Sequence, residues 1–115
     1  MVAVIREDNL FLVIERSDGM GFSFPGGLAH RGESDEQALT RELLEETGLR
    51  ASAISFLMRY TTDWPYPART AVFAVRTEGE LRASWEGTPS WKRADEIEKR
   101  IMRNQRPVLQ KALSQ

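Results

Sequence analysis

Of three glutamates, Glu42 stands three residues before Glu45 and four before Glu46. On a helix that spacing puts their carboxylates on, or at the border of, one face. Like charges so placed cost a few tenths of a kcal/mol, about 0.2 to 0.5 per pair, unless something offsets them. Hard oxygen ligands converging from one helix are what Mg²⁺ or Mn²⁺ takes, and such ions commonly retain waters and bind substrate phosphates. A run of solvated surface acids would share the spacing. Leu39 and Leu43, with Ala38, Leu44 and Thr47 beside them, give the same segment apolar surface to bury, which brings the acidic stripe close to a sheet. The pattern points to a divalent-metal site.

The segment has signals for both of its ends. Ser34 and Gln37 form a capping box, Asp35 and Glu36 fall in the positively polarised first turn, and Gly48 with Leu49 behind it is a stop signal. The spacing predicts a helix over residues 35–47. Ahead of it, Phe24-Pro25-Gly26-Gly27 reads as a turn in which Pro25 restrains its neighbour and the paired glycines permit close backbone approach.

The stretch from Gly27 to Leu49 resembles the Nudix box: glycine, five residues, glutamate, seven residues, Arg-Glu, an aliphatic, any residue, Glu-Glu, any residue, glycine, aliphatic. Gly27, Glu33, Arg41, Glu42, Leu43, Glu45, Glu46, Gly48 and Leu49 fill its fixed positions. The resemblance implies an α/β/α sandwich with a mixed central sheet, one domain over residues 1–115, and hydrolysis of a diphosphate linked to another moiety, generally a nucleoside. It implies that Glu42, Glu45 and Glu46, joined by the Gly27 carbonyl, hold Mg²⁺ or Mn²⁺. Arg41 would brace the loop and the glutamates, although it is also placed to pair with Glu45 at i,i+4. Glu33 would shape the loop through hydrogen bonds. Many members supply one more acid from the loop ahead of the final Trp-containing strand, and Glu86 stands in the matching place as a metal ligand or general base. Glu46 and Glu86 are both candidates for the base that deprotonates the attacking water, so the catalytic set is Glu46, Glu86, Glu45, Arg41 and Glu33. His30 stands where many members carry an acid; it reads as a loop residue facing solvent or the substrate channel.

The box addresses the diphosphate, and substrate choice must lie elsewhere. Trp64-Pro65-Tyr66-Pro67 is rigid and aromatic, unsuited to a central strand, and aromatic faces stack on bases. It partly resembles the signature of the NADH-cleaving Nudix branch, from which Asp63 and Arg69 depart. Trp64, Tyr66, Phe24 and Arg69 are the expected substrate contacts. Asn104 and Gln105 are placed to reach a base or to act as ordinary caps. Nucleoside triphosphate cleavage is the leading expectation; NADH, ADP-ribose or dinucleotide polyphosphates, or a non-catalytic nucleotide-binding role, are the alternatives.

The whole chain bounds these readings. Its 115 residues suit one domain, and a net charge of −1 gives no broad electrostatic case for polymeric nucleic acid. It has no cysteine, which excludes disulfides, thiolate metal sites and a cysteine nucleophile, and no apolar run approaches a membrane span. A cytoplasmic protein acting on a small nucleoside diphosphate derivative, as monomer or homodimer and without membrane partners, is the expectation.

The elements around the acidic helix follow from pattern. Residues 2–5 and 10–14 read as a hairpin with a turn at 7–9, and residues 54–59 and 70–76 as strands. A weaker strand is expected at 81–84 and another short one beginning at Trp91. Residues 95–98 read as a turn or short helix, and a last helix should either start after Arg103, with Pro107 in its middle, or carry Pro107 in its first turn, where the missing N–H is harmless.

Overall fold

The structure is a computed structural model that describes residues 1–63 and 66–115. In chain order the elements are β1 (Val2–Val4), β2 (Arg6–Glu7), β3 (Leu10–Arg16), β4 (Phe22–Ser23), α1 (Asp35–Thr47), β5 (Arg50–Thr62), β6 (Ala68–Glu78), β7 (Gly87–Arg93), α2 (Ala94–Arg100) and α3 (Arg106–Leu113), with a 3₁₀ turn at Arg103–Gln105 leading into α3. One sheet runs β1-β6-β5 and the other β2-β3-β4, with β7 also paired to β3. β1 and β6 are parallel and the other pairs antiparallel, so the strands are mixed as expected.

Period-two alternation sorts the strand side chains into two cores. Val2, Val4, Phe11, Val13 and Val72 pack with Ile97, Val108, Leu109 and Ala112 of α2 and α3. Ala3, Ile5, Leu12, Ala71, Phe73 and Val75 pack with Leu39 and Leu43 of α1. The result is the α/β/α sandwich. Helix α1 is thereby pinned on its apolar side, since Leu39 and Leu43 are fully buried and each contributes about 1.5–3 kcal/mol.

The N-terminal hairpin is shorter than expected and differently paired. Arg6–Glu7 pairs back onto β3, with the Ile5 carbonyl accepting Leu12 N–H at 2.9 Å, while Val2–Val4 runs parallel to β6 with Val2 opposite Val72. The run Val2-Ala3-Val4-Ile5 is apolar at every position and buried throughout. Such a run marks a strand covered on both faces, which suits a parallel neighbour better than a half-solvated hairpin. Its other edge is met by the Pro25-Gly26 backbone, with the Ala3 N–H donating to the Pro25 carbonyl at 2.8 Å.

The strand expected at 81–84 does not form. Arg82 N–H instead donates to the Thr47 carbonyl, and Ser84 and Gly87 close a tight turn on each other. β7 begins at Gly87, so Trp91 lies inside it, opposite Leu12. β5 and β6 extend beyond the expected 54–59 and 70–76, and α3 begins at Arg106, which decides between the two placements of Pro107 in favour of the first turn. No helix among the described residues is long and apolar enough to cross a membrane.

Candidate active site

Helix α1 spans Asp35–Thr47, as its cap signals predict. The Ser34 side chain accepts from Gln37 N–H at 3.1 Å, Ser34 N–H donates to Gln37 Oε1 at 2.9 Å, and Gly48 takes φ 80° at the other end. Thr47 is wholly buried and satisfied: its hydroxyl donates to the Leu43 carbonyl and accepts from Leu49 N–H.

Arg41 is the hub of the solvent side of the helix. Its Nε and Nη2 donate to the two carboxylate oxygens of Glu33, each at 2.9 Å, a bidentate pair of the stronger kind. Nη2 also donates to the Leu28 carbonyl at 3.1 Å, and Nη1 to Glu42 at 3.0 Å and Glu45 at 3.4 Å. Glu33 Oε1 in turn accepts His30 N–H at 2.7 Å. One guanidinium therefore ties the Leu28–Glu33 loop to two of the three helix glutamates. The Arg41 hydrogen bonds hold the Glu33 carboxyl down to about 2. His30 itself is exposed, its ring 3.7 Å from Glu33.

The glycine turn packs against the other side of the acidic stripe. Gly26 N–H donates to Glu46 Oε2 at 3.1 Å. At Gly27 an added Cβ would stand 2.6 Å from Cδ of Glu42, so the missing side chain is what admits that carboxylate. The Gly27 carbonyl accepts from the amino group of Met1 at 2.8 Å. A carbonyl oxygen has two lone pairs, and this bond uses one.

Glu46 is only 6% exposed. Burial pushes its carboxyl well above the usual range; the Gly26 N–H opposes that shift, and the charges of Glu86 and Glu42, with a hydrogen bond to Glu86, add to it. Glu86, from the turn before β7, stands with Glu46 in the lining of one cleft, and its charge makes Glu46 harder to ionise. Glu45 is 59% exposed at its side chain and turns toward Arg41 instead.

A cleft of about 350 Å³ opens over this pair. Glu46, Glu86, Gly26 and Gly27 stand in its lining together with Phe24, Tyr66 and Arg69. Phe24 contributes from the core, being 2% exposed, whereas Tyr66 and Arg69 are exposed. Trp64 lies outside the described residues. Glu33, Arg41, Glu42 and Glu45 are not in the lining; they form the Arg41 network behind it.

Arg16, at the end of β3, also lines the cleft and was not singled out from sequence. Its guanidinium is bound by Asp18, and the charges of Glu86 and Glu46 further favour its protonated form. An Arg-Ser-Asp tripeptide at a strand end has no pattern of its own to draw attention. Asn104 and Gln105 lie in the lining too: Gln105 Oε1 accepts Phe24 N–H at 2.7 Å, and Asn104 Oδ1 is buried without a hydrogen-bond partner among the described residues. Tyr60 donates to the Asn104 backbone carbonyl at 2.9 Å, which fixes that turn against the cleft wall.

A family model for the NUDIX domain matches residues 1–112. The chain belongs to the Nudix family. Among curated Nudix relatives, a MutT-like protein of Streptomyces ambofaciens is 33% identical over 102 residues, covering 85% of this chain and 64% of that protein. A NAD-capped RNA hydrolase, NudC, of Klebsiella pneumoniae is 32% identical over 104 residues, covering 84% of this chain and 39% of the relative. This chain thus spans less than two thirds of either protein's length. Of solved structures, the E. coli ORF135 protein superposes with a TM-score of 0.83 at 26% identity, covering 98% of this chain and 86% of that one. The MutT Nudix hydrolase of Burkholderia pseudomallei superposes with a TM-score of 0.84 at 22% identity, covering 96% and 93%. These likenesses agree with the α/β/α fold and with the Nudix box on α1.

Proposed function

We propose that this Nudix protein hydrolyses a diphosphate bond in a small nucleoside di- or triphosphate derivative, with nucleoside triphosphate pyrophosphohydrolysis as the leading reaction. The observation that carries the reading is the meeting of Glu46 and Glu86 at one cleft with a glycine turn and two arginines, Arg16 and Arg69. The arginines offer charge to an anionic ligand, while Phe24, Tyr66 and the Asn104 side chain, whose Oδ1 has no partner among the described residues, supply apolar and hydrogen-bonding surface of the kind that suits a base. A Bacillus subtilis relative, 43% identical over 51 residues, bears the name putative 8-oxo-dGTP diphosphatase, which supports the nucleoside triphosphate class.

The donor chemistry fits a hard divalent ion. Glu42, Glu45, Glu46, Glu86 and the Gly27 carbonyl are all oxygen donors, and Glu46 stands buried beside two further carboxyl groups whose repulsion a cation relieves. Among the described residues, no three acidic side chains already converge at metal-binding separations. Arg41 engages one carboxylate oxygen of Glu42 and one of Glu45, which leaves each a second oxygen for an ion. Mg²⁺ or Mn²⁺, held by these groups, supplies charge neutralisation for the diphosphate and acidifies water. The chain's own part is to orient: Arg41 and Glu33 hold the loop that follows Gly27, Gly26 N–H fixes Glu46, and the carboxylate of Glu46 or of Glu86 accepts the proton of the attacking water.

A second reading, cleavage of NADH or an NAD-like end, is favoured by the NudC relative and by the Trp64-Pro65-Tyr66-Pro67 sequence. One experiment separates them. Purified protein with Mg²⁺ or Mn²⁺ is offered nucleoside triphosphates, an oxidised purine triphosphate, ADP-ribose, dinucleotide polyphosphates and NADH, and both products are identified. Turnover of a triphosphate to monophosphate and pyrophosphate supports the lead, preference for NADH supports the second reading, and no cleavage of any substrate overturns both. Glu45→Gln and Glu46→Gln should depress the activity far more than Gln115→Ala.

A further inference from the structure

Arg16 does not stand alone at the cleft. It is carried by a turn whose next two residues are both committed. Asp18 binds the guanidinium with both carboxylate oxygens: Arg16 Nε donates to Oδ1 at 3.0 Å and to Oδ2 at 3.1 Å, and Nη2 donates to Oδ2 at 2.5 Å. Oδ1 also accepts Met20 N–H at 3.0 Å, so the carboxylate is itself fixed to the backbone. Among the described residues nothing accepts from Arg16 Nη1, the one nitrogen of the fork left uncommitted on a residue that lines the cleft. Between them, Ser17 donates N–H to the Glu86 carbonyl at 3.0 Å and its hydroxyl to the Trp85 carbonyl at 2.9 Å. The turn is closed by Arg16 N–H on the Gly21 carbonyl at 2.9 Å.

We propose that Asp18 is a positioning residue for substrate binding, holding Arg16 so that its free Nη1 addresses an anionic oxygen of a nucleotide in the cleft. The proposal rests on the reading of the cleft as a nucleotide site and goes beyond it by assigning Asp18, which neither the Nudix box nor the cleft lining includes. An arginine side chain has four rotatable bonds, and one left loose must be ordered by the ligand at a cost in affinity. A guanidinium already held along its Nε–Nη2 edge presents its remaining edge in one orientation. Both partners are partly exposed, 33% and 44% at the side chain, and an ion pair so exposed adds little to stability. Its effect is therefore expected in binding and not in folding. Asp18 does not touch the substrate, and Ser17 ties the same turn to Glu86, so that Arg16 and the Glu86 backbone keep a fixed relation across the cleft mouth.

The test is a double-mutant cycle on the full chain with Arg16→Ala, Asp18→Asn and the double variant. Two readouts are taken: steady-state kinetics with the best nucleotide, and calorimetric binding of an α,β-methylene nucleoside triphosphate. Asp18→Asn preserves an oxygen acceptor for Met20 N–H but removes the charge, so the turn survives. We expect it to raise KM and the dissociation constant of the analogue about tenfold with kcat within about twofold, and to have no such effect once Arg16 is alanine. Asp18→Glu should recover part of the loss, and thermal midpoints should agree among the variants. Unchanged KM and analogue affinity in Asp18→Asn overturn the proposal, as does the same loss in the Arg16→Ala background, because either result assigns Asp18 to the turn alone. If the wild-type protein binds the analogue but cleaves nothing, the hydrolase reading falls while the binding arm still decides the role of Asp18; if it neither binds nor cleaves nucleotides, both fall.

Discussion

A methyl group on Gly27 would stand 2.6 Å from Cδ and 2.7 Å from Oε1 of Glu42, so these two positions of the Nudix box are fitted to each other in space as well as in sequence. The obstacle is the end of a flexible side chain and not backbone, and the Gly27 φ lies outside the left-handed range. Gly27→Ala should therefore fold with nearly the wild-type thermal midpoint while pushing the Glu42 carboxylate out of place. We expect Mn²⁺ affinity, followed by calorimetry, to fall about tenfold or more and activity to fall with it. Unaltered metal affinity would show that Glu42 binds nothing from its present position.

Local signals made α1 legible in the sequence. Ser34, Gln37 and Gly48 act within one turn of the residues they cap, so their meaning does not depend on the rest of the fold. The same holds for Pro107 at the start of α3. Pairing is different. Val2–Val4 was readable as a strand, but its partner is β6, about 70 residues away, and nothing local distinguishes that from the nearer β3. The segment 81–84 fails for a related reason: its backbone is engaged by Thr47 and by its own turn, contacts that residue types do not announce. At the site, the spacing of the box placed the glutamates on one helix, yet it did not show that Arg41 would gather Glu42 and Glu45 while Glu46 turns inward to Glu86. Arg16 reaches the cleft from the end of β3, with Asp18 bound to its guanidinium, which only the assembled sheet reveals.

The two leucines in the middle of α1 should respond very differently to truncation. Leu43 is fully buried between α1 and the strands, whereas Leu44 is 43% exposed. Leu43→Ala should cost about 2–5 kcal/mol in denaturant unfolding, through lost burial and the cavity left behind. Leu44→Ala should fall within about 0.5 kcal/mol. Equal losses at both positions would mean that α1 packs with a different face.

Glu33 offers a test of the Arg41 network by acid titration. Its folded carboxyl is drawn down to about 2 from an ordinary 4.5, chiefly by the Arg41 hydrogen bonds. A depressed carboxyl contributes stability that is complete above its unfolded value and is lost as pH falls through the folded one. Wild-type protein should therefore lose stability between about pH 4.5 and 2 in part through Glu33. Glu33→Gln, neutral throughout, should be less stable near pH 7 and should lose less over that acid range. Parallel acid limbs for the two proteins would place the Arg41–Glu33 pair outside the stability of the fold. In activity assays Arg41→Lys should also be impaired, because an ammonium cannot make the two parallel bonds to Glu33 that the guanidinium makes.

Glu46 carries the opposite sign. Burial beside Glu86 and Glu42 raises its folded carboxyl toward about 9, while the unfolded chain ionises near the ordinary 4.5. The stability it contributes in the metal-free protein is complete below the ordinary value and drains away as pH rises toward the folded one. Glu46→Gln keeps the size of the side chain and an oxygen for Gly26 N–H but cannot ionise, so it escapes that loss. The melting temperature of the variant minus that of the wild type, both without metal, should therefore grow steadily from pH 5 to pH 9. Saturating Mn²⁺ should narrow the difference at pH 8 by stabilising ionised Glu46 in the wild type, and activity of the variant should be nearly abolished. The two measurements together separate a buried acid retained for catalysis from one that serves the fold. A pH-independent difference would remove the argument that Glu46 is held in an unfavourable charge state, and a fully active variant would remove Glu46 from the reaction.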